Sequence, residues 1–192
     1  HIGAGASITA VKNGKSFDTS MGFTPVAGIT MATRSGDVDP SLIAFMQGKL
    51  NLSSDEMIDI LNHKSGLLGI SGISPDMRDI LAAAEKGDDR AQLALDIYVN
   101  RIVRYIGAYI AEMGGADAIV FTAGVGENSV PVRKMITDKL DYFGIKIDQE
   151  KNDCHGVERD LSADDAKIKT LLIPTNEELM IVRDIERLKK NN

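Results

Sequence analysis

Residues 114–128 read GGADAIVFTAGVGEN, and the fold class turns on them. Gly114-Gly115 breaks what precedes it. Ala116 to Phe121 is a short apolar run with the length of a buried strand, and Thr122 to Asn128 is a glycine-rich loop. Pro131, in the first turn of the next segment, marks a helix leaving that loop. A second apolar run, Ile168 to Ile173, reads as another buried strand; it ends in PTNEE, and a C-terminal helix follows to about Lys190. Upstream lies the longest element, a helix from about Asp88 to Met113. Its Leu95, Val99, Ile102, Ile106, Tyr109 and Met113 keep an apolar stripe at helical spacing. Buried strands alternating with helices predict an α/β layered domain.

Further out, Ser7 to Lys12 alternates, meets Asn13-Gly14 and returns through Lys15 to Ser20. This is the strongest short hairpin signal, and it adds an antiparallel portion. Asp39-Pro40 pairs a capping carboxylate with a proline at the first helical position. Ser53 to Glu56 reads as a capping box opening a helix that ends before Gly66. Another helix is expected from Asp76 to Lys86, stopped by Gly87. No repeat, charge block or low-complexity linker divides the chain, so residues 1–192 read as one domain.

Hydrophobic residues make up 43% and charged residues 26%, the balance of a globular chain rather than a disordered one. A net charge of -6 offers no basic field to nucleic acid or acidic lipid. No apolar run approaches the roughly 18 residues of a membrane helix. Cys154 stands alone, so no internal disulfide can form and a reducing, cytoplasmic setting is expected.

Several motifs mislead. Gly14-Lys15-Ser16 resembles the end of a P-loop, but Thr9 stands where that motif needs its first glycine, and the segment sits in a hairpin. A dinucleotide fingerprint fails because its third glycine falls at Ile8 or at Ser129. His63 and His155 have no ligand spacing around them and read as surface or helix-end histidines. What remains is two glycine loops beside apolar strands, at Gly3 and Gly5 and at Gly124 and Gly126, with the acidic PTNEE turn. Glycine lets backbone N–H groups approach phosphate without a Cβ in the way; each loop alone is more often just a tight turn, and only the two loops together with the PTNEE turn bring the nucleotide reading level with it. Residue logic ends at that balance between nucleotide loop and turn.

The wording of the motifs goes further. HIGAGAS, DTSMGFTPVAG, ATRSGDVDPS, SGISPDMRD, FTAGVGENS and IPTNEELMIVRD, in that order, resemble the C-terminal part of the acetate kinase family. That family sits within the superfamily of acetate and sugar kinases, Hsp70 and actin. The resemblance runs over essentially all 192 residues. It implies a ribonuclease H-like βββαβαβα core with extra helices, truncated at its N-terminus, because His1 matches a residue inside the family's phosphate-binding segment. The implied activity of the full-length enzyme is reversible transfer of the ATP γ-phosphoryl to acetate, giving acetyl phosphate and ADP with Mg²⁺ or Mn²⁺. The isolated piece is expected to turn over negligibly, and the family implies a homodimer through this domain.

Roles follow by resemblance. Arg34 matches the arginine that contacts acetate and the phosphoryl in flight; its local alternative is pairing with Asp37 or Asp39. Pro25 matches a wall of the acetate pocket. His1, Gly3, Ala4 and Gly5 match the segment that cradles the β- and γ-phosphates, with Ala4 standing where many members carry Asn. Asp76, Met77 and Arg78 match the adenosine-side segment, where Asp76 and Arg78 are equally explained as first-turn helix residues. Gly124, Val125, Gly126 and Asn128 match the adenosine loop. Glu177 matches the carboxylate that positions the metal, with Glu178, or helix capping by Asn176, as the competing assignment. Other readings remain open at this stage: a propionate or butyrate kinase, an actin- or Hsp70-like ATPase, or a non-catalytic nucleotide-binding and dimerisation module. In that last reading the tyrosines Tyr98, Tyr105 and Tyr109 are either dimer contacts or internal core.

Overall fold

The turn chemistry at the start of the chain does what an Asn-Gly pair permits. In the computed structural model, which describes residues 1–190, Asn13 and Gly14 both take positive φ, 53° and 73°. They join β1 (Thr9–Lys12) to β2 (Lys15–Thr19) as an antiparallel hairpin with an irregularity between Ala10 and Val11. The GKS segment therefore lies in a hairpin and forms no phosphate loop. Five helices follow: α1 (Pro40–Leu50), α2 (Ser54–His63), α3 (Gly66–Ser71), α4 (Met77–Glu85) and α5 (Asp89–Met113). Their starts obey the capping chemistry in the sequence. Asp39 accepts a hydrogen bond from Ser41 N, Ser53 and Glu56 form a reciprocal capping box, and the carboxylates of Asp76 and Asp88 cap α4 and α5. Gly114 ends α5 in the left-handed region, at φ 76°.

The second half holds β3 (Ala118–Phe121), α6 (Ala123–Asn128), α7 (Val130–Thr137), a 3₁₀ turn (Asp141–Phe143), α8 (Gln149–Asn152), β4 (Arg159–Asp160), β5 (Lys169–Leu172) and α9 (Glu177–Lys190). β5 is central, parallel to β3 on one side and antiparallel to β4 on the other. α5 is the backbone of the core. Its Leu95, Tyr98, Val99 and Ile102 are buried, and it packs against α3, α4, α7 and β1. A fully buried aliphatic side chain contributes roughly 1.5–3 kcal/mol, so this stripe decides where α5 lies. Tyr98 and Tyr109 are buried, and the half-buried Tyr105 donates its hydroxyl to Asp37.

Three expectations need correction. β3 is an edge strand with only Phe121 buried, and Val120 remains 47% exposed. Its free edge borders an apolar groove of about 350 Å³ shared with β1 and α5. Thr122 to Asn128 is not an open loop: most of it is α6, entered through Ala123 at φ 65° and closed by Ala123 N donating to the Glu127 carboxylate. Finally, α3, α8 and β4 were not anticipated, being too short to show a period. Among the described residues no helix is long and apolar enough to cross a membrane.

Candidate nucleotide and phosphoryl site

The site is organised around the first five residues. Ile2 N donates to Thr122 O at 3.0 Å, while Ile2 O accepts from Val125 N and Gly126 N at 2.8 and 3.0 Å. The strap is thereby sewn to the turn between β3 and α6. Gly3 lies beside it: an added Cβ would meet Ala123 Cβ at 3.6 Å. Ala4 O accepts from Ala32 N at 3.1 Å, which ties the strap's other side to the loop that carries Arg34. At Gly5 an added Cβ would sit 3.3 Å from the Arg34 guanidinium. His1 is exposed, with its amine donating to Ser7 O.

The Arg34 loop has an unusual support. The carbonyls of Met31, Ala32 and Thr33 accept the N–H groups of Leu67, Leu68 and Ser65, the amides that the first turn of α3 would otherwise leave unpaired. The approach is so close that a Cβ on Gly66, which has φ 60°, would fall 2.3 Å from Met31 O. Ser35 N adds a bond to Leu61 O. Arg34 is thus fixed by its backbone while its side chain reaches Pro25 O at 3.4 Å and Gly5. The pairing with Asp37 or Asp39 does not occur. Asp37 accepts from Gly28 N and Tyr105, Asp39 caps α1, and among the described residues Arg34 makes no ion pair. A planar cation with unspent donors beside a glycine strap suits a phosphoryl or carboxylate group.

On the other side of the strap opens a cavity of about 580 Å³. It gathers Gly3, Ala4, Asp76, Met77, Arg78, Gly124, Val125 and Asn128 from distant parts of the chain. The Asp76 carboxylate both caps α4 and pairs with the exposed Arg78, and that guanidinium with the Arg78 amide holds the carboxyl down at about 2. The helix reading of Asp76 is therefore correct, and Asp76 lines the cavity as well. Gly126 behaves differently. It is buried, its amide is spent on Ile2, and an added Cβ would meet Ile2 Cγ1 at 3.1 Å. Gly126 therefore packs the strap against α6, and neither its N–H nor that of Val125 remains bare for phosphate.

Sequence reasoning missed Arg133, for which no motif speaks. It is fully buried with no carboxylate partner, and carbonyls surround it instead. Nε donates to Asn152 Oδ1; one terminal nitrogen donates to Gly126 O and Glu127 O, the other to Asn152 O and Cys154 O, all at 2.8–3.0 Å. Desolvation lowers its affinity for its proton. The clamp binds α6 to residues 152–154 and so builds one wall of the cavity. His155, read as a surface histidine, is exposed yet lines that wall.

The PTNEE turn is tied to the same loop. Glu127 Oε1 accepts from Thr175 N at 2.8 Å and Thr175 Oγ1 at 3.1 Å, besides Ala123 N. Asn176 caps α9 through Leu179 N, as the competing assignment held, leaving Glu177 and Glu178 exposed in its first turn. Glu177 lies outside the cavity lining. No group of three or more His, Cys, Asp and Glu gathers among the described residues. A divalent ion here would find the exposed carboxylates of Glu177 and Glu178, with phosphate and water oxygens supplying the rest, a set that Mg²⁺ accepts.

The acetokinase family profile matches residues 1–183. The chain is 74% identical to the acetate kinase of Limosilactobacillus fermentum over 190 residues, covering 99% of this chain and 48% of that protein. With the acetate kinase of Lactiplantibacillus plantarum it shares 63% over 192 residues, 100% of this chain and 48% of the relative. Among solved structures, Porphyromonas gingivalis acetate kinase superposes with a TM-score of 0.92 at 45% identity, covering 96% of this chain and 46% of that one. A propionate kinase from Francisella tularensis gives 0.88 at 45%, over 94% and 46%. The chain spans about half the length of the relatives it matches. Profile, identity and superposition agree that this chain belongs to the acetokinase family.

Proposed function

We propose that this chain supplies the nucleotide-binding wall of an acetate kinase, which transfers the γ-phosphoryl of ATP reversibly to acetate and yields acetyl phosphate and ADP. The observation that carries the reading is the Arg34 guanidinium against Gly5, without an ion-pair partner among the described residues, on a strap whose other face opens into the cavity of about 580 Å³. Adenosine occupies the cavity between Asp76–Arg78 and Gly124–Asn128. The phosphates run along Gly3 to Gly5 towards Arg34. Phosphoryl transfer asks little covalent help of a protein; it asks for alignment and for positive charge on the equatorial oxygens, which Arg34 provides. Glu177, two residues beyond the Thr175 that Glu127 holds, would be the carboxylate that holds Mg²⁺, and the ion would supply positive charge to the phosphates. A homodimer and a cytoplasmic setting belong to the same reading.

The similarity to a propionate kinase makes the longer acid a second reading. Hydroxylamine trapping decides between them. The full-length polypeptide carrying these residues, given ATP, Mg²⁺ and either acid, is expected to form acyl hydroxamate faster from acetate. A strong preference for propionate overturns acetate as the substrate, and nucleotide binding without hydroxamate from either acid reduces the chain to a binding module. The 192 residues alone are expected to turn over negligibly, since Arg34 is one charge of a site that stabilises its transition state with several.

A further inference from the structure

We propose that His155 selects the nucleotide base, its Nε2 accepting a hydrogen bond from an exocyclic amino group and so favouring a 6-aminopurine over a 6-oxopurine. The inference rests on the nucleotide reading of the cavity given above. His155 Nδ1 lies 2.9 Å from Asn128 O. A carbonyl oxygen only accepts, so Nδ1 carries the proton and Nε2 of the neutral ring is left as an acceptor. Asn128 beside it spends one of its two amide N–H groups on Gly124 O at 3.0 Å, which leaves the other N–H and Oδ1 free, so the acceptor-only group on this wall is His155.

The other polar side chains of the lining include the Arg78 guanidinium, paired with Asp76, and the hydroxyls of Tyr98 and Ser129, which are buried without a partner among the described residues. Met77, Leu81, Val125 and Pro131 are apolar, and the Asp76 carboxylate is engaged by Arg78. The histidine is also held in place. Its neighbours on both sides are anchored, Cys154 O accepting from Arg133 and Gly156 N donating to Glu127 O at 3.1 Å. An acceptor fixed on a cavity wall meets a donor on adenine, whose 6-position carries NH₂, and meets another acceptor on a base whose 6-position carries oxygen.

The test compares kcat/KM for ATP and inosine triphosphate, with acetate, in the full-length polypeptide carrying these residues and in its His155→Leu and His155→Lys forms. The native protein is expected to prefer ATP by about tenfold, the scale of one hydrogen bond made or left unmade. His155→Leu should bring the ratio close to unity. His155→Lys, which offers only donors, should tip it towards inosine triphosphate. KM for acetate and the melting temperature should stay as in the native protein. An ATP preference that survives both substitutions overturns the inference and leaves the proposed function standing; a native protein that binds neither nucleotide overturns both.

Discussion

The two sides of the strap differ in kind. On the side proposed for the base the walls are closed by buried bonds and packing: Arg133 is fully buried and saturated by the protein's own oxygens, and Gly126 is packed under Ile2. On the side proposed for the phosphoryl group the candidate groups are open. Arg34 has no ion-pair partner among the described residues, and Glu177 stands on α9, a helix with no buried residue. A base pocket can be made by helices that already pack against one core. Charge that stabilises a moving phosphoryl must instead converge on it from several elements, and its partners are the ligand's oxygens. Affinity and turnover should therefore separate by side.

The hardest test of that separation is Arg34. Arg34→Ala in the full-length polypeptide is expected to lower kcat by about 10²–10³, the loss typical when one preorganised donor is removed from a transition state. Arg34→Lys should recover little, because a point charge cannot present a planar pair of donors. The dissociation constant of ADP, measured by calorimetry, should stay within about twofold. If ADP binding falls along with kcat, the two sides are one unit and the contrast fails.

Arg133 tests the closed side. Arg133→Met removes the Arg133 donors from the carbonyls of Gly126 and Cys154 and from Asn152 Oδ1, while Glu127 O keeps Gly156 N and Asn152 O keeps Cys154 N; buried unsatisfied groups cost about 1–3 kcal/mol each before relaxation. A net loss of about 3 kcal/mol in urea unfolding of the full-length polypeptide is expected, with weaker ADP binding. Arg133→Lys, with three donors, should recover part of both. A variant that keeps native stability and ADP affinity would show that the wall needs no clamp.

Local chemistry made much of the fold legible. Caps at Asp39, Ser53, Asp76 and Asp88, the Asn13-Gly14 turn and the α5 stripe all act within a few residues, so they are written in neighbouring letters. α3 was not legible because its first amides are satisfied by residues 31–33, more than thirty positions upstream in sequence. The burial of β3 was overread for a related reason: an apolar run shows that a strand can be buried, while its edge position depends on which strands pair. In the site, motif wording brought Arg34, Gly5 and the cavity residues together. Composition and spacing alone left the glycine loops undecided. The contacts of His155 and Arg133 escaped because they are made to backbone carbonyls, which every residue carries and no sequence pattern marks.

The smallest expected effect lies at the rim of the closed side, where Asp76 separates a cap from an ion pair. Asp76→Ala removes the α4 cap and should cost about 1 kcal/mol, whereas Asp76→Asn keeps a good cap and should cost only a few tenths. The difference is small because Arg78 is exposed, and exposed ion pairs are weak and screened by salt. The pH dependence carries the sign. Arg78 and its amide depress the Asp76 carboxyl from 3.8 to about 2, so its contribution is complete above pH 3.8 and is lost as pH falls towards 2. Native protein and Asp76→Asn should therefore converge in stability on acidification across that window, and melting temperatures at low salt would register it. Equal spacing of the two curves from pH 3.8 down to 2 would mean that the Asp76–Arg78 pair contributes nothing, and that the closed side owes its firmness to buried bonds such as those of Arg133 alone.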